Sequence, residues 1–530
     1  MKKHLRALNI MLCVVIAFCA FTSCTSAPES ADESAPPTIK ILLRGDEQGL
    51  ERVINKLYEQ MDAEHSWKLE INLTDVGSYG NELNRVLTSH EDYSLVFDAP
   101  WISLSAMSQS KSYLDLEKYF CNVQYSGLYE SFEKEYLDAN RIDGKLYAIP
   151  ITNSYYDPTG VFYRRDILRE CALGFTEISS REQLWQFYDA VLEQFPDIAP
   201  ISIGNRGFYL LNSLDLSMRN DNLFDVTGWS FFDYPAKIVL DESCGNVVDV
   251  VFAGDESSHF AALDTPYNTD FMAKYLLDNA ACSVYAQEDS MFAVEGRDAF
   301  VHGQSASYEA AIGTGGSDAV QKILAQNAPN AEVGFWCYEP SLNAENREEA
   351  GIISTMQAWN FLCVPSYSTS VDETMRFLDW LYSSRDRLDL FTYGVEGEDW
   401  LADGENGYIM LDNPEGTYSF PAYSLSWNLK YQRIGQTLPE NEKSLLEYTY
   451  NTENYTPSPL AGWTLDTTKI SIELAQLTAL YSEYSTAFSH GLYGDSTQQK
   501  IAALHSKSQE LGLETVRQEI KRQAQAYLDT

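Results

Sequence analysis

The sequence predicts an α/β fold built on a parallel sheet, followed by a second αβ region and a helical tail. Three observations predict it. Strand-like and helix-like segments alternate from residue 38 to residue 101. Extended apolar runs closed by Pro150 and Pro365 then interrupt that order, and beyond Asp466 the pattern is helical alone.

Taken in order, "TIKILLRGD" (38–46) is a short apolar run that stops at Gly45. Leu50, Val53, Ile54, Leu57 and Met61 follow at helical spacing. "WKLEINLTDV" (67–76) is strand-like, "NELNRVLTSH" helical, and "YSLVFDAPW" (93–101) strand-like again. Strands separated by helices pair in parallel, and such sheets bind ligands beyond their carboxyl ends. Those ends carry Gly45-Asp46-Glu47, Gly77-Ser78-Tyr79 and Asp98-Ala99-Pro100-Trp101. The second region runs through "GVFYRRDIL", "SSREQLWQFYDAVLEQFP" and "AEVGFWCYEP". Ser370-Val371-Asp372-Glu373 predicts a capping box on a helix that turns Met375, Leu378 and Leu381 inward. In the tail, Asp466 and Asp495 are expected N-caps, and Gly491 and Gly512 expected stops. They bound helices over 467–490, 496–511 and 513–528.

Ahead of the folded part, Lys2, Lys3 and Arg6 precede an apolar stretch from Leu8 to Phe21. That is the layout of a secretory signal, too short to span a bilayer comfortably. Phe21-Thr22-Ser23-Cys24 resembles the lipobox of bacterial lipoproteins, with Phe where Leu is preferred. The resemblance implies lipidation of Cys24. Thr25 to Pro37 is all Ser, Ala, Pro, Thr and acids, a tether with nothing to bury.

Loss of the signal removes three of 37 basic residues and none of the 77 acids, leaving a net charge of −43. Such a chain repels nucleic acid and anionic lipid, so no nucleic-acid partner is expected. Six cysteines remain, at 121, 171, 244, 282, 337 and 363, without a C-x-x-C pair. Buried thiols and one or two disulfides both fit that spacing, and no metal or cofactor is expected.

The order "VFDAPW", "YLDLEKYF", "DGKLYAIP", "GVFYRRDIL", "GRDAFVHGQ", "FLCVPSYSTSVDETMRFLDWLY" and "YGVEGEDW" resembles the extracellular solute-binding lipoproteins of bacterial carbohydrate-type ABC importers. The tail from "SPLAGWTLDTTKISIELAQL" resembles the extra C-terminal helical region of the LipO-like, Gram-positive branch. The resemblance implies a two-lobed fold of the periplasmic-binding-protein type (type II) whose hinge closes on a ligand. "GKLYAIP" and "NFLCVP" would then be crossings between lobes. The implied boundaries are 1–23 for the signal and 24–37 for the tether. One lobe would comprise 38–148 with 309–362, the other 149–308 with 363–460, and 461–530 would form the helical region. It also implies a monomer that serves ABC permease subunits from the outer face of the cell membrane.

Tyrosine occurs 34 times, against 37 for all Lys and Arg. Aromatic faces suit the C–H faces of sugar rings, while carboxylates and amides bind hydroxyls, so the composition points to a neutral carbohydrate. The candidate ligand residues are Asp98 and Trp101 after the third strand, Tyr155 and Asp157 past the first crossing, and Arg206 in "GNRGF". Tyr308, Trp359 with Asn360, and Trp427 with Asn428 complete the set. Trp101 and Trp427 are expected on opposite lobes, and Trp463 in the core. Catalytic patterns fail: Ser108 to Lys111 is an S-x-x-K without K-T-G or S-D-N, and no H-E-x-x-H occurs. A surface glycoside hydrolase using Asp98 and Glu396, or a sensing lipoprotein that binds peptide or protein, are the alternatives.

Overall fold

A computed structural model describes residues 36–208, 211, 223–226, 236–265, 267–287, 295–313, 315–339, 342–343, 347, 352–413 and 416–530. Cys24, the signal segment and nearly all of the tether lie outside the described residues. Among the described residues no helix is long and apolar enough to cross a membrane.

The first lobe is a five-stranded mixed sheet in the order Lys68–Thr74, Thr38–Arg44, Leu95–Asp98, Asn360–Cys363, Ile149–Ile151. The three strands of the alternating region are parallel, in register from Thr38 opposite Lys68 to Arg44 opposite Thr74. Asn360–Cys363 then enters antiparallel between Leu95–Asp98 and Ile149–Ile151. Its apolar run is therefore a central strand buried on both faces. Such a run cannot be told from a crossing by periodicity, because neither alternates. The helix Leu50–Glu59 buries Leu50, Val53 and Leu57, and Val371–Tyr382 buries Met375, Leu378 and Leu381, as their spacing requires. The expected capping box does not close. Ser370 hydrogen-bonds Ser94 at 2.9 Å, and Glu373 accepts from Trp67 Nε1 at 3.0 Å, so both ends of the motif fasten the helix to the sheet instead.

The second lobe centres on Thr159–Arg164, flanked antiparallel by Val333–Cys337 and Ser307–Ala311. This corrects the expected lobe boundaries. Ser307–Ala311 and Val333–Cys337 belong with the second lobe, because both pair with Thr159–Arg164. Cys363, Met375, Leu378, Tyr382, Phe391 and Leu425 belong with the first, in whose core they pack. The chain crosses between lobes at 152–158, at 353–356 and near 432–434. Ile352–Ser354 and Tyr455–Pro457 run parallel to each other. Ser354 Oγ donates to the Tyr155 carbonyl at 2.9 Å and accepts from Met356 N at 3.0 Å, and Ser354 O accepts from Ser458 N at 2.8 Å.

The tail helices are Ser471–Ser489, Thr497–Glu510 and Leu513–Leu528. Gly491 (φ 66°) and Gly512 (φ 94°) take left-handed conformations at the two turns, where a side chain would be strained. The tail is not a separate domain. Trp463, Leu474, Leu477, Ile501, Val516 and Ile520 share one core with Phe224, Ile238, Leu240, Val250 and Phe252 of a three-stranded antiparallel sheet. Arg517 locks the two halves. Its NH2 meets Asp255 Oδ1 at 2.7 Å and its NH1 meets Oδ2 at 3.0 Å, both residues being buried. His505 Nε2 lies 3.0 Å from Asp255 Oδ1. Burial opposes the Asp255 charge, but hydrogen bonds from His505 and Arg517 outweigh it and hold this carboxyl below its usual range. No disulfide joins Cys121, Cys171, Cys337 or Cys363 among the described residues.

Removing one partner of a buried ion pair strands the other, so Arg517→Met is expected to cost about 3–5 kcal/mol of stability. The pair Asp255→Leu with Arg517→Met is expected to cost much less than the single change. Because the folded carboxyl is lowered, the contribution is present above the unfolded value near 3.8 and disappears as pH falls below it. Denaturant titration of the three proteins at pH 7 and pH 3 checks both statements.

Candidate functional site

The parallel part of the first sheet ends at Arg44 and Asp98, and their side chains decide what stands at that edge. Asp98 is completely buried. Its Oδ1 accepts from Ala99 N at 2.7 Å and Ser103 N at 3.1 Å; its Oδ2 accepts from Ser103 Oγ at 2.9 Å and Tyr113 OH at 2.6 Å. Burial raises this carboxyl against those four donors. Asp98 is thus a brace for the 99–103 turn and cannot touch a ligand, which corrects its assignment as a binding residue. The same sealing removes the expected pairing of Asp98 with Glu396 for hydrolysis.

The braced turn carries Trp101, which is 44 % exposed. Its Nε1–H donates to the carbonyl of Trp359 at 2.9 Å, and Trp359, at the start of the antiparallel strand, is 67 % exposed. Two large indoles therefore stand together at the sheet edge. Behind them an aromatic row continues inward: Phe97 lies 6.1 Å from Trp101 and 5.8 Å from Tyr423, and Tyr423 lies 6.1 Å from Trp427. Trp427 is half-buried against the first core. Trp101 and Trp427 thus stand on one lobe, not on opposite lobes, because Leu425 and Trp427 return to the first core. Asn360 is half-buried in its strand beside Trp359.

Three further candidates change role. Tyr308 is 3 % exposed, stacked on Phe162 at 5.2 Å and packed against Phe300 at 5.0 Å, inside the second core. Asn428 is 4 % exposed; it donates to Ser131 O at 3.0 Å and accepts from Lys430 N at 3.0 Å, so it caps a turn. Both belong to segments whose alternation hides which face is inward. Tyr155 bridges the lobes rather than lining one: its ring sits 4.9 Å from Tyr136 and 5.4 Å from Tyr455, and its hydroxyl donates to Glu133 at 3.1 Å.

Asp157 follows in the same crossing. Its surface is exposed, although protein lies close around it. That crowding raises its carboxyl to about 6, with the Gly313 N–H pulling the other way. On the second lobe, Arg206 is exposed in the Gly204–Arg206 turn, which packs against Glu295 and Gly296. Burial raises the Tyr423 phenol against the pull of the Arg44 charge, and the Asp46 and Glu295 carboxylates add to the rise. Arg44, Tyr423 and Glu295 were missed in the sequence; of these only Arg44 had a signal, as the last residue of the first strand. Among the described residues no group of three His, Cys, Asp or Glu is placed to hold a metal ion.

Residues 459–529 match a family model described as a domain of unknown function, DUF3502. The chain is 22 % identical over 476 residues to a carbohydrate ABC transporter substrate-binding protein of Streptococcus pneumoniae serotype 4, covering 88 % of this chain and 86 % of that one. Its fold matches the N-glycan transport solute-binding protein NgtS of S. pneumoniae with a TM-score of 0.71 at 18 % identity, over 93 % of this chain and 99 % of the other. The same protein in complex with Man5GlcNAc matches at 0.65 and 19 % identity, over 93 % and 99 %. An alginate-binding protein, AlgQ2, matches at 0.59 and 14 % identity, over 94 % and 99 %. The likeness carried by the sequence motifs thus extends over most of the chain in sequence and in fold, and the fold is that of the two-lobed solute-binding proteins.

The raised carboxyl of Asp157 has a consequence for pH. A folded value of about 6 against 3.8 unfolded means that the folded protein holds this proton more tightly, so its ionisation weakens folding as pH rises through that window. Asp157→Asn is expected to lessen the loss of melting temperature between pH 4 and pH 6.5. Parallel thermal melts of wild type and variant at the two pH values measure the difference, and groups common to both cancel.

Proposed function

We propose that this protein is a receptor, held at the outer face of the membrane by lipid on Cys24, that captures a neutral oligosaccharide between its lobes and delivers it to an ABC permease. The observation that carries the reading is the exposed pair Trp101–Trp359 at the carboxyl edge of the first sheet. Indole faces exposed inside a cleft remove little polar surface from water and offer broad contact to the C–H faces of sugar rings. Asp46, Asp157 and Glu295 are exposed, and in this reading their carboxylates suit hydroxyl donors while repelling acidic sugars. The Man5GlcNAc complex of one structural relative supports an oligosaccharide ligand. Asn360, Trp427 and Arg206 are the proposed polar and aromatic complement. The reading has the protein bind its sugar without converting it, act as a monomer and close by rotation about the crossings.

Trp101→Ala and Trp359→Ala should each melt within a degree or two of wild type, since neither indole is in a core. Each should weaken binding by about 2 kcal/mol or more, about thirtyfold. Trp463→Ala, 5 % exposed in the tail core, should instead cost about 3–5 kcal/mol of stability. Calorimetric titration with Man5GlcNAc, and with an alginate oligosaccharide as the acidic contrast, measures the first pair. Recovery of shortened sugar would make the protein a hydrolase, and tighter binding of the alginate would overturn the neutral assignment.

The lipid anchor is tested separately. Cys24→Ala should move the protein from the membrane fraction to the medium with an unchanged melting temperature, because nothing in segment 25–37 is able to support a core. A variant that stays with the membrane sinks the anchor and leaves the sugar reading standing.

A further inference from the structure

We infer that Arg44 is a positioning residue of the cleft: it covers one face of Trp101 and ties that indole to Tyr423, so that a ligand meets Trp101 from a single side. Its guanidinium carbon lies 4.9 Å from the Trp101 ring centroid. Its NH1 donates to Tyr423 OH at 3.1 Å, and Tyr423 OH in turn donates to the Arg44 carbonyl at 2.9 Å. The two residues thus hold each other by backbone and side chain at once. Gly45 makes the approach feasible. A Cβ there would sit 2.9 Å from Pro421 Cβ, and the residue has φ 127°, so the 421–423 segment reaches the end of the first strand only because position 45 is glycine.

Among the described residues no carboxylate pairs with Arg44, and its guanidinium lies over an indole as that of Arg387 lies over Trp380. Its cation is spent on an aromatic face and a phenol. A guanidinium over an indole is held by the ring quadrupole and by its own planarity, which a lysine does not reproduce. Trp101 is then fixed at two points, by its Nε1–H on Trp359 O and by the Arg44 cation on its ring. Fixing the platform before the ligand arrives removes the ordering cost of binding.

The inference rests on the sugar reading only for its effect on affinity, so its test is read without ligand. The full protein is labelled with 5-fluorotryptophan, which gives one fluorine line for each of its ten tryptophans. Loss of a line in Trp101→Phe assigns Trp101. In Arg44→Met the Trp101 line is expected to shift and broaden as the indole gains rotamers, while the Trp463 line stays in place as the reporter of folding. In Arg44→Lys the line should move less, and in Tyr423→Phe it should also move, because the arginine loses its second hold. With Man5GlcNAc added, Arg44→Met should bind about tenfold more weakly. A Trp101 line unchanged in Arg44→Met, with the Trp463 line in place, overturns the inference. Should Arg44→Met fail to fold, an unchanged Trp101 line in both Arg44→Lys and Tyr423→Phe overturns it equally.

Discussion

A carboxylate buried at the end of a central strand must have its oxygens filled by donors, or it cannot stay charged there. Asp98 meets that demand with two backbone N–H groups and two hydroxyls, and three of the four come from the five residues that follow it. The requirement therefore shapes the 99–103 turn. The turn places Trp101, the Trp101 N–H finds the Trp359 carbonyl, and the exposed face of the first lobe follows. A completely buried residue thus decides where the exposed indoles stand.

The two lobes are each completed by chain that arrives late. The first sheet receives Asn360–Cys363 between strands laid down before residue 152, and the second receives Ser307–Ala311 and Val333–Cys337 on both sides of Thr159–Arg164. Because each core is closed on its own, the lobes are joined by the crossings, the Tyr136–Tyr155–Tyr455 contact and pairs such as Lys322 with Asp412 at 3.4 Å. Few atoms have to rearrange when such lobes rotate, and rigid bodies joined by a thin hinge move as bodies.

Much of this was legible in the residues. The 2-to-3.6 change of period from Thr38 to Trp101 gave the parallel strands, and Gly491 and Gly512 gave the tail's turns, because left-handed backbone leaves a residue-level mark. The lobe boundaries were not legible. "NFLCVP" is apolar without alternation, and both a doubly buried strand and a crossing have that pattern. Among the site candidates, Trp101 and Trp359 were reachable from their position after or before a strand. Asp98 was in the right place for the wrong role: a strand-end acid looks the same in sequence whether its oxygens point to a cleft or to its own turn. Tyr308 and Asn428 failed for a related reason, since single aromatics and amides carry no sign of which way they face. Arg44 was passed over because a cation over a ring depends on a partner 57 residues away.

The bond between Arg517 and Asp255 joins residues separated by 262 positions. Closing so long a loop is entropically costly and slow, and contacts of this separation form late in folding. The strands at 236–252 must therefore wait, half their core open, until nearly the whole chain has emerged. Until the last helix arrives no closed tail-side core exists, and that helix completes it.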